Sequence, residues 1–311
     1  MKTIQIVHNP TAGDGSHDKE ELIKIVEDSG YKADYISTNY VFWKKHFKPQ
    51  DAAAILLAGG DGTVRKLAKN LIAIKDLPKP LPIHLIPLGT ANNISKVLRV
   101  PQNKEQHKIN LERKFTTFSY GKIKSTGKKD FFLESFGFGI FPKLIAEMKK
   151  LETPDNPKEE LQKTLEVLLE IVKGYKAKNA KIKTGGITIK GSFLLVELMN
   201  IKLIGPNFKL APAAHPGDDH FELVLIPEEK RKALEVYLSK LITNQATDED
   251  LNKLVTVLPV QKVKMKWSGS QAHVDDVLIS NFFGKKFKIK LAADHLQFFT
   301  DIPEDSSEEK E

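Results

Sequence analysis

Three short loops carry the residues whose types and spacing could do chemistry: NPTAGDG (9–15), AGGDGTV (58–64) and PLGTANN (87–93). In the middle loop, Gly59, Gly60 and Gly62 let the backbone turn tightly and approach a ligand with no Cβ in the way. Thr63 then opens a helical pattern, so free N–H groups and the positive end of a helix face the loop, an arrangement suited to phosphate. Asp61 would repel that phosphate unless a cation bridges the two. Magnesium, which takes one or two carboxylates together with phosphate oxygens, resolves the conflict. A plain tight turn is the simpler reading of this loop taken alone, because Gly and Asp both favour turns. Neither the G-x-x-x-x-G-K-S/T phosphate loop nor the G-x-G-x-x-G dinucleotide fingerprint occurs.

The elements that must position these loops are legible around them. TIQIVHN (3–9), YKADYIST (31–38), DAAAILLAGG (51–60) and LPIHLIPLG (81–89) read as strands. Helical spacing fills the intervals, over 18–29, 41–47, 63–74 and 91–98. Repeated strand–helix units predict a doubly wound parallel α/β sheet. In such a sheet all three loops lie at the carboxyl ends of strands, where ligands bind. From about residue 115 the texture changes to short alternating segments, among them KDFFLESFGFG, SFLLVELMN and KFKIKLA, which predict an antiparallel β-sandwich or barrel. Helical spacing over 141–151, 158–175 and 230–244 interrupts them.

Composition narrows the function classes. The 311 residues include no Cys, which excludes disulfides, zinc–thiolate sites, iron–sulfur clusters and a cysteine nucleophile. No apolar run approaches the roughly 18 residues a membrane span requires, and TIQIV is too short for a signal-peptide core. The expectation is a cytoplasmic protein. Lys and Arg number 48 against 40 Asp and Glu, for a net charge of +8. The tail 304–311 is acidic and reads as a disordered end. Lysines bunch in KGYKAKNAKIKTGGITIK (173–190) and ERKFTTFSYGKIKSTGKK (112–129). They read either as solvated strand edges, where Lys discourages pairing, or as attraction to an anionic lipid surface. Nucleic acid is the weaker partner, since no recognition motif accompanies the aromatics.

The order and spacing of NP-x-AG, GGDGTV and PLGTANN resemble the diacylglycerol kinase catalytic-domain family, which includes bacterial lipid kinases, sphingosine kinases and ceramide kinases. NIKLIGPNFKLAPAAHPGDDHFELVLI (200–226) continues the likeness, resembling the family's P-x-A segment and its D-G-x-L/F motif. The resemblance implies an ATP-dependent lipid kinase, peripherally associated with a membrane, that binds ATP and Mg²⁺ between an α/β domain and a β-sandwich domain. It implies domains of 1–115, with a returning strand at about 295–303, and of 116–294. Nucleotide contacts would fall on Asn9, Thr38, Gly59, Gly60, Asp61, Gly62, Thr63, Gly89 and Thr90. Asp61 would serve the magnesium and the phosphates. A structural metal would use Asp218 with the backbone oxygens of His215 and His220. The family's general base belongs to a D-G-E motif, which reads Asp275-Asp276-Val277 here. Asp275 is the first candidate for the base and Asp276 the second. A strand alternates its faces, so only one of the two can point into a cleft.

This chain departs from the family at four places. Arg65 and Lys66 follow Val64 where the family has an Asn–Glu pair, Asn93 replaces an Asp, and GFGIF (137–141) lacks the acid of the family's glycine-rich segment. Val277 stands at the Glu of D-G-E. Two other readings follow: a nucleotide- or lipid-binding paralogue with impaired catalysis, and an NAD kinase, which shares GGDGT. The oligomeric state stays open, with a homodimer among the options.

Overall fold

The apolar runs of the first hundred residues pair as a parallel sheet in the computed structural model of the chain. The model describes residues 1–13, 15, 17–74, 80–103, 106–125, 128–152, 156–205, 207–282, 286–293 and 296–300. The expected acidic tail, 304–311, and the end of the returning strand, 301–303, lie outside the described residues. The chain divides into two compact units. One takes Met1–Phe118 and the end of the chain from Ala293, the other Ser119–Ala292.

The first unit runs β1 (Thr3–His8), α1 (Lys19–Asp28), β2 (Lys32–Ser37), α2 (Trp43–His46), β3 (Ala54–Gly59), α3 (Asp61–Ala73), β4 (Pro82–Pro87), α4 (Asn93–Val97) and β5 (Phe115–Thr117). Its sheet is completed by β19 (Gln297–Phe299), in the order β2-β1-β3-β4-β19-β5. All pairings are parallel except that of β19 with β5. α1 buries Leu22 and Val26 in a cluster with Ile4, Ile6 and Leu56. Residues of the opposite parity, Val7, Ile55 and Leu57, are buried too. Both faces are therefore covered, which is why β3 is apolar throughout rather than alternating. On β4, His84 is buried and its Nε2 lies 3.0 Å from Nδ1 of His107, whose Nε2 in turn meets the Pro101 carbonyl at 3.0 Å. A carbonyl only accepts, so His107 carries its proton on Nε2 and accepts from His84. Burial, with His107 and Arg113 nearby, pushes His84 down to about 3.

The second unit contains β6 (Tyr120–Ser125), β7 (Lys128–Phe132), β8 (Ser135–Gly139), α5 (Ile140–Met148), α6 (Pro157–Gly174), β9 (Lys178–Thr184), β10 (Ile187–Met199), β11 (Leu203–Ile204), β12 (Phe208–Lys209) and β13 (Phe221–Pro227). There follow α7 (Arg231–Ile242), α8 (Asp248–Leu254), β14 (Thr256–Val260), β15 (Lys262–Trp267), β16 (Gln271–Val274), β17 (Val277–Ser280) and β18 (Lys286–Ala292). The hairpin β11–β12 stands apart, and the other strands hydrogen-bond as one antiparallel sheet. Phe136 of β8 packs on Phe287 of β18, although three strands separate them in the sheet order. The sheet therefore curls round a shared core, which also takes Phe138, Trp267 and Phe282. Helices α5 to α8 pack on a second cluster with Leu194, Met199 and Val224.

The outward positions of this sheet are lysines in register. Lys190, Lys181, Lys266 and Lys286 form one row across β10, β9, β15 and β18. Lys183, Lys264, Lys288 and Lys124 form the next, across β9, β15, β18 and β6. Lys262, Lys290 and Lys122 form a third. All are exposed, while the alternate residues Ile182, Val263, Met265, Phe287 and Ile289 enter the core. β9, β15 and β18 each have a neighbour on both sides. The reading as edge protection therefore does not hold for Lys181, Lys183, Lys122 and Lys124, which are flanked on both sides, whereas Lys190 lies on the part of β10 paired only with β9, and Lys128 and Lys129 lie on the terminal strand β7.

Candidate active site

In the first unit the three loops interlock. Gly60 caps α3 without a side chain, so no side-chain group satisfies the first N–H donors of the helix. A Cβ on Gly60 would lie 2.9 Å from the Cα of Gly89, and one on Gly89 would lie 2.6 Å from the Cα of Gly60. The second and third loops thus touch backbone to backbone. Asn92, left-handed at φ 50°, clamps the turn: its Oδ1 accepts from Gly89 N at 2.9 Å and its Nδ2 donates to Gly89 O at 2.6 Å. Asn9 Nδ2 donates to Thr63 Oγ1 at 3.2 Å, joining the first loop to α3. Gly59 leaves room for that hydroxyl, which would lie 2.5 Å from a Cβ. Thr90 is exposed at the tip of its loop. Thr38 N donates to His8 O at 2.7 Å, and its hydroxyl is buried with no hydrogen-bond partner among the described residues. Of the three glycines of GGDG, only Gly62 has nothing within 4 Å of the space a Cβ would fill.

Asp61 turns away from its own helix. Its carboxylate accepts from Asn93 N at 2.9 Å and Ile94 N at 3.0 Å, capping α4 and tying the second loop to the third. Lys96 lies near enough to feel it, although burial draws that lysine down.

Beneath the first loop runs a chain of hydrogen bonds with a fixed direction. His17 Nε2 meets the Ala12 carbonyl at 2.9 Å, so it holds the proton. His17 Nδ1 therefore accepts from His8 Nε2 at 2.8 Å, and His8 Nδ1 accepts from the Tyr35 hydroxyl at 2.8 Å. Burial, then the neighbouring His17, pushes His8 down to about 4. His8 and His84 thus bind protons more weakly in the folded chain than in the unfolded one, where the usual value is about 6.5. Their contribution to stability is complete above that pH and is lost as pH falls towards 4. Urea unfolding between pH 7 and 4 should show stability falling by up to about 1.4 kcal/mol per pH unit for each histidine. His84→Leu should flatten the profile, and an unchanged slope in that variant would refute the assignment.

In the second unit, Asp275 and Asp276 face different environments. Asp275 sits at φ 49° in the turn between β16 and β17, and it is buried. Its Oδ1 accepts from the backbone N–H groups of Leu133, Glu134 and Ser135 at 3.1, 2.8 and 3.2 Å. Its own N–H donates to Ser135 O at 2.8 Å. Asp276 is exposed and borders a small cavity of about 40 Å³ whose walls include Phe141, Leu144, Leu165 and Phe208.

Behind this turn lies a buried pair. His273 Nδ1 donates to the Asp275 carbonyl at 2.8 Å, and both oxygens of Glu197 lie close to His273 Nε2, at 2.9 and 3.0 Å. Both residues are essentially inaccessible. Burial raises Glu197 against the pull of His273. Burial lowers His273, but Glu197 and the Asp275 carbonyl outweigh it. One proton lies between Nε2 and the carboxylate, so the pair is neutral as a unit, as its burial demands. Gly137 lies opposite both residues in the sheet, and any Cβ there would run into the Glu197 carboxylate.

The residues expected to hold a structural metal, Asp218 with the backbone oxygens of His215 and His220, lie close together. Asp218 N donates to His215 O at 3.3 Å and Asp218 Oδ1 accepts from His220 N at 3.2 Å. The His220 ring lies 3.7, 3.4 and 3.3 Å from Asp218, Asp219 and Glu222. Burial lowers His220, but these three acids together raise it. Among the described residues, no three His, Asp or Glu side chains gather as a metal site would require.

A glycine-linked rim at the carboxyl ends of β1, β3 and β4 invites comparison with known proteins. Residues 3–123 match the diacylglycerol kinase catalytic domain. The diacylglycerol kinase of Staphylococcus carnosus (strain TM300) is 25% identical over 234 residues, covering 72% of this chain and 72% of that protein. That of Staphylococcus aureus (strain MRSA252) is 24% identical over 234 residues, covering 72% and 70%. In fold, a diacylglycerol kinase from Bacillus anthracis str. Sterne superposes with a TM-score of 0.70 at 17% identity, covering 96% of this chain and 97% of that one. The chain thus resembles a kinase family in sequence, with the family's α/β first unit and antiparallel second unit.

The diacylglycerol kinase likeness locates the departures. Asn93, where the family has Asp, meets Asp61 through its backbone N–H, which any residue but proline supplies. The glycine-rich segment is explained by Glu197 lying over Gly137. Glu197 and His273 went unnoticed in the sequence. The one available cue was a carboxylate inside the apolar run FLLVELM, since a buried acid needs a partner.

Proposed function

We propose that this chain is an ATP-dependent lipid kinase that transfers the γ-phosphoryl group to a lipid hydroxyl. The observation that carries this reading is the backbone contact of Gly60 with Gly89 beside the uncapped start of α3, inside the segment that matches the diacylglycerol kinase catalytic domain. Side-chain-free backbone at a helix start receives phosphate. Asn9, Thr38, Gly59 to Thr63, Gly89 and Thr90 form the nucleotide contacts in this reading. The buried Thr38 hydroxyl would gain the partner it lacks.

Asp61 suits magnesium. It is the one carboxylate of the glycine loop, and its oxygens are already oriented by the Asn93 and Ile94 amides. Mg²⁺ accepts few protein ligands and keeps several waters. When bound, it would neutralise charge building on the phosphates. The other roles belong to the chain. Backbone amides of the glycine loops hold the phosphate chain in place. In the transfer, the bond from the γ-phosphorus to the ADP oxygen breaks and a bond to the lipid oxygen forms. The hydroxyl proton passes to a carboxylate. Asp276 fits that role better than Asp275, whose Oδ1 is held by three N–H groups.

The test is transfer of label from [γ-³²P]ATP to vesicles containing diacylglycerol, monoacylglycerol, sphingosine and ceramide. A labelled lipid establishes the reaction and names the acceptor. Tight ATP–Mg²⁺ binding with no labelled lipid would support the impaired paralogue instead, a reading favoured by the half-exposed Val277 at the Glu position.

Gly62 offers a second check. Alanine there meets no protein atom and restricts the unfolded chain, so Gly62→Ala should stabilise by about 0.4–1 kcal/mol. If the space above it belongs to a phosphate, the same change should weaken ATP binding about tenfold or more, or at least about 1.4 kcal/mol. Calorimetry showing unchanged affinity would remove Gly62 from the site.

A further inference from the structure

The lysine rows remain unexplained by nucleotide binding or phosphoryl transfer. Opposite residues in an antiparallel pair stand about 5 Å apart at Cβ, and like charges so placed are destabilising. Here Lys264 faces Lys183 on one side and Lys288 on the other, and Lys288 faces Lys124 in turn. Among the described residues no carboxylate pairs with Lys183, Lys264, Lys288 or Lys124, nor with the lysines of the row through Lys181 and Lys266. Asp219, bonded to Gln261, borders the array just before Lys262. Solubility alone is served by interspersed charges of both signs, not by stacked charges of one sign.

We propose that this face of β10, β9, β15, β18 and β6 docks on an anionic bilayer. Five strands at about 4.8 Å spacing and three rows along them spread the ammonium groups over roughly 19 by 13 Å. A lipid surface offers anions in two dimensions, and lysine reaches them as a flexible point charge without demanding a fixed geometry. A single strand of nucleic acid would call for aromatic platforms, and none of the positions in the three rows is aromatic. The choice of a bilayer rests on the lipid-kinase reading, because such an enzyme draws its acceptor from a membrane.

The experiment is sedimentation of the full chain with vesicles of phosphatidylglycerol in phosphatidylcholine, without ATP and without any acceptor lipid. Each lysine near such a surface contributes about fivefold, so Lys183→Gln/Lys264→Gln/Lys288→Gln should weaken partitioning about 100-fold. A control with equal charge loss, Lys24→Gln/Lys232→Gln/Lys253→Gln, should change it less than about threefold, since those lysines pair with their own acids. Added salt should abolish the difference. Equal losses in both triples would overturn the proposal, as would equal binding to phosphatidylcholine alone. Tight binding of a labelled RNA or DNA duplex by a chain that ignores vesicles would overturn it too. Because the assay contains no substrate, a chain without kinase activity can still pass it. An active kinase on detergent-dispersed acceptor can still fail it.

Discussion

Replacing Asp276 with asparagine should lower the rate of phosphoryl transfer by about 10²–10⁴-fold, the usual loss when a general base is removed, and should leave the urea midpoint where it is. The side chain is exposed, so little structural cost is expected. Its neighbour should behave in the opposite way. Asp275→Ala leaves three backbone N–H groups at the turn between β7 and β8 without their acceptor. Each buried unsatisfied donor costs about 1–3 kcal/mol, so unfolding should come several kcal/mol sooner. Activity should then fall in proportion to the folded fraction. Single-turnover rates on vesicles, read beside urea curves for both variants, separate the two roles. An active Asp276→Asn with a stable but inactive Asp275→Ala would hand the base back to Asp275.

A second large effect lies behind that turn. Glu197→Ala should destabilise by about 3–5 kcal/mol, because it strands a buried histidine that was neutral only as half of a pair. Gly137→Ala should be comparably damaging in the native chain, since the new methyl competes with the Glu197 carboxylate. In the Glu197→Ala background the same methyl enters the space that the carboxylate vacated. The double-mutant cycle should then show favourable coupling of about 1–3 kcal/mol. Additive losses by urea unfolding would mean that the two residues do not share one space. The pair also holds the Asp275 carbonyl, so it fixes the turn from which Asp276 projects.

What could be read from the sequence divides by range. The loops were legible because Gly, Asp and Asn have few other uses at such spacing, and the strands before them because parallel sheets need unbroken apolar runs. Their order of pairing put all three on one rim, as expected. α3 starts two residues earlier than its periodicity indicated, because Gly60 caps it without a side chain. α8 was missed, although Thr247 and Asp250 form a capping box that spacing alone could have revealed. The Glu197–His273 pair spans 76 residues, and no local pattern encodes such a meeting. The lysine array was half visible. Two stretches rich in lysine stood out, but β15 and β18 contribute six of the eleven lysines in the rows, and only register shows that they face one another.

The position of β19 has a consequence for the order of synthesis. This strand lies between β4 and β5, yet it is synthesised only after the whole second unit. Until then β4 presents an open, apolar edge, and Phe298, wholly buried in the finished sheet, has no place to go. A nascent chain therefore carries a first unit whose sheet is built but unsealed. A chain stopped short of Gln297 would hold every glycine of the three loops and still lack the strand that closes their sheet.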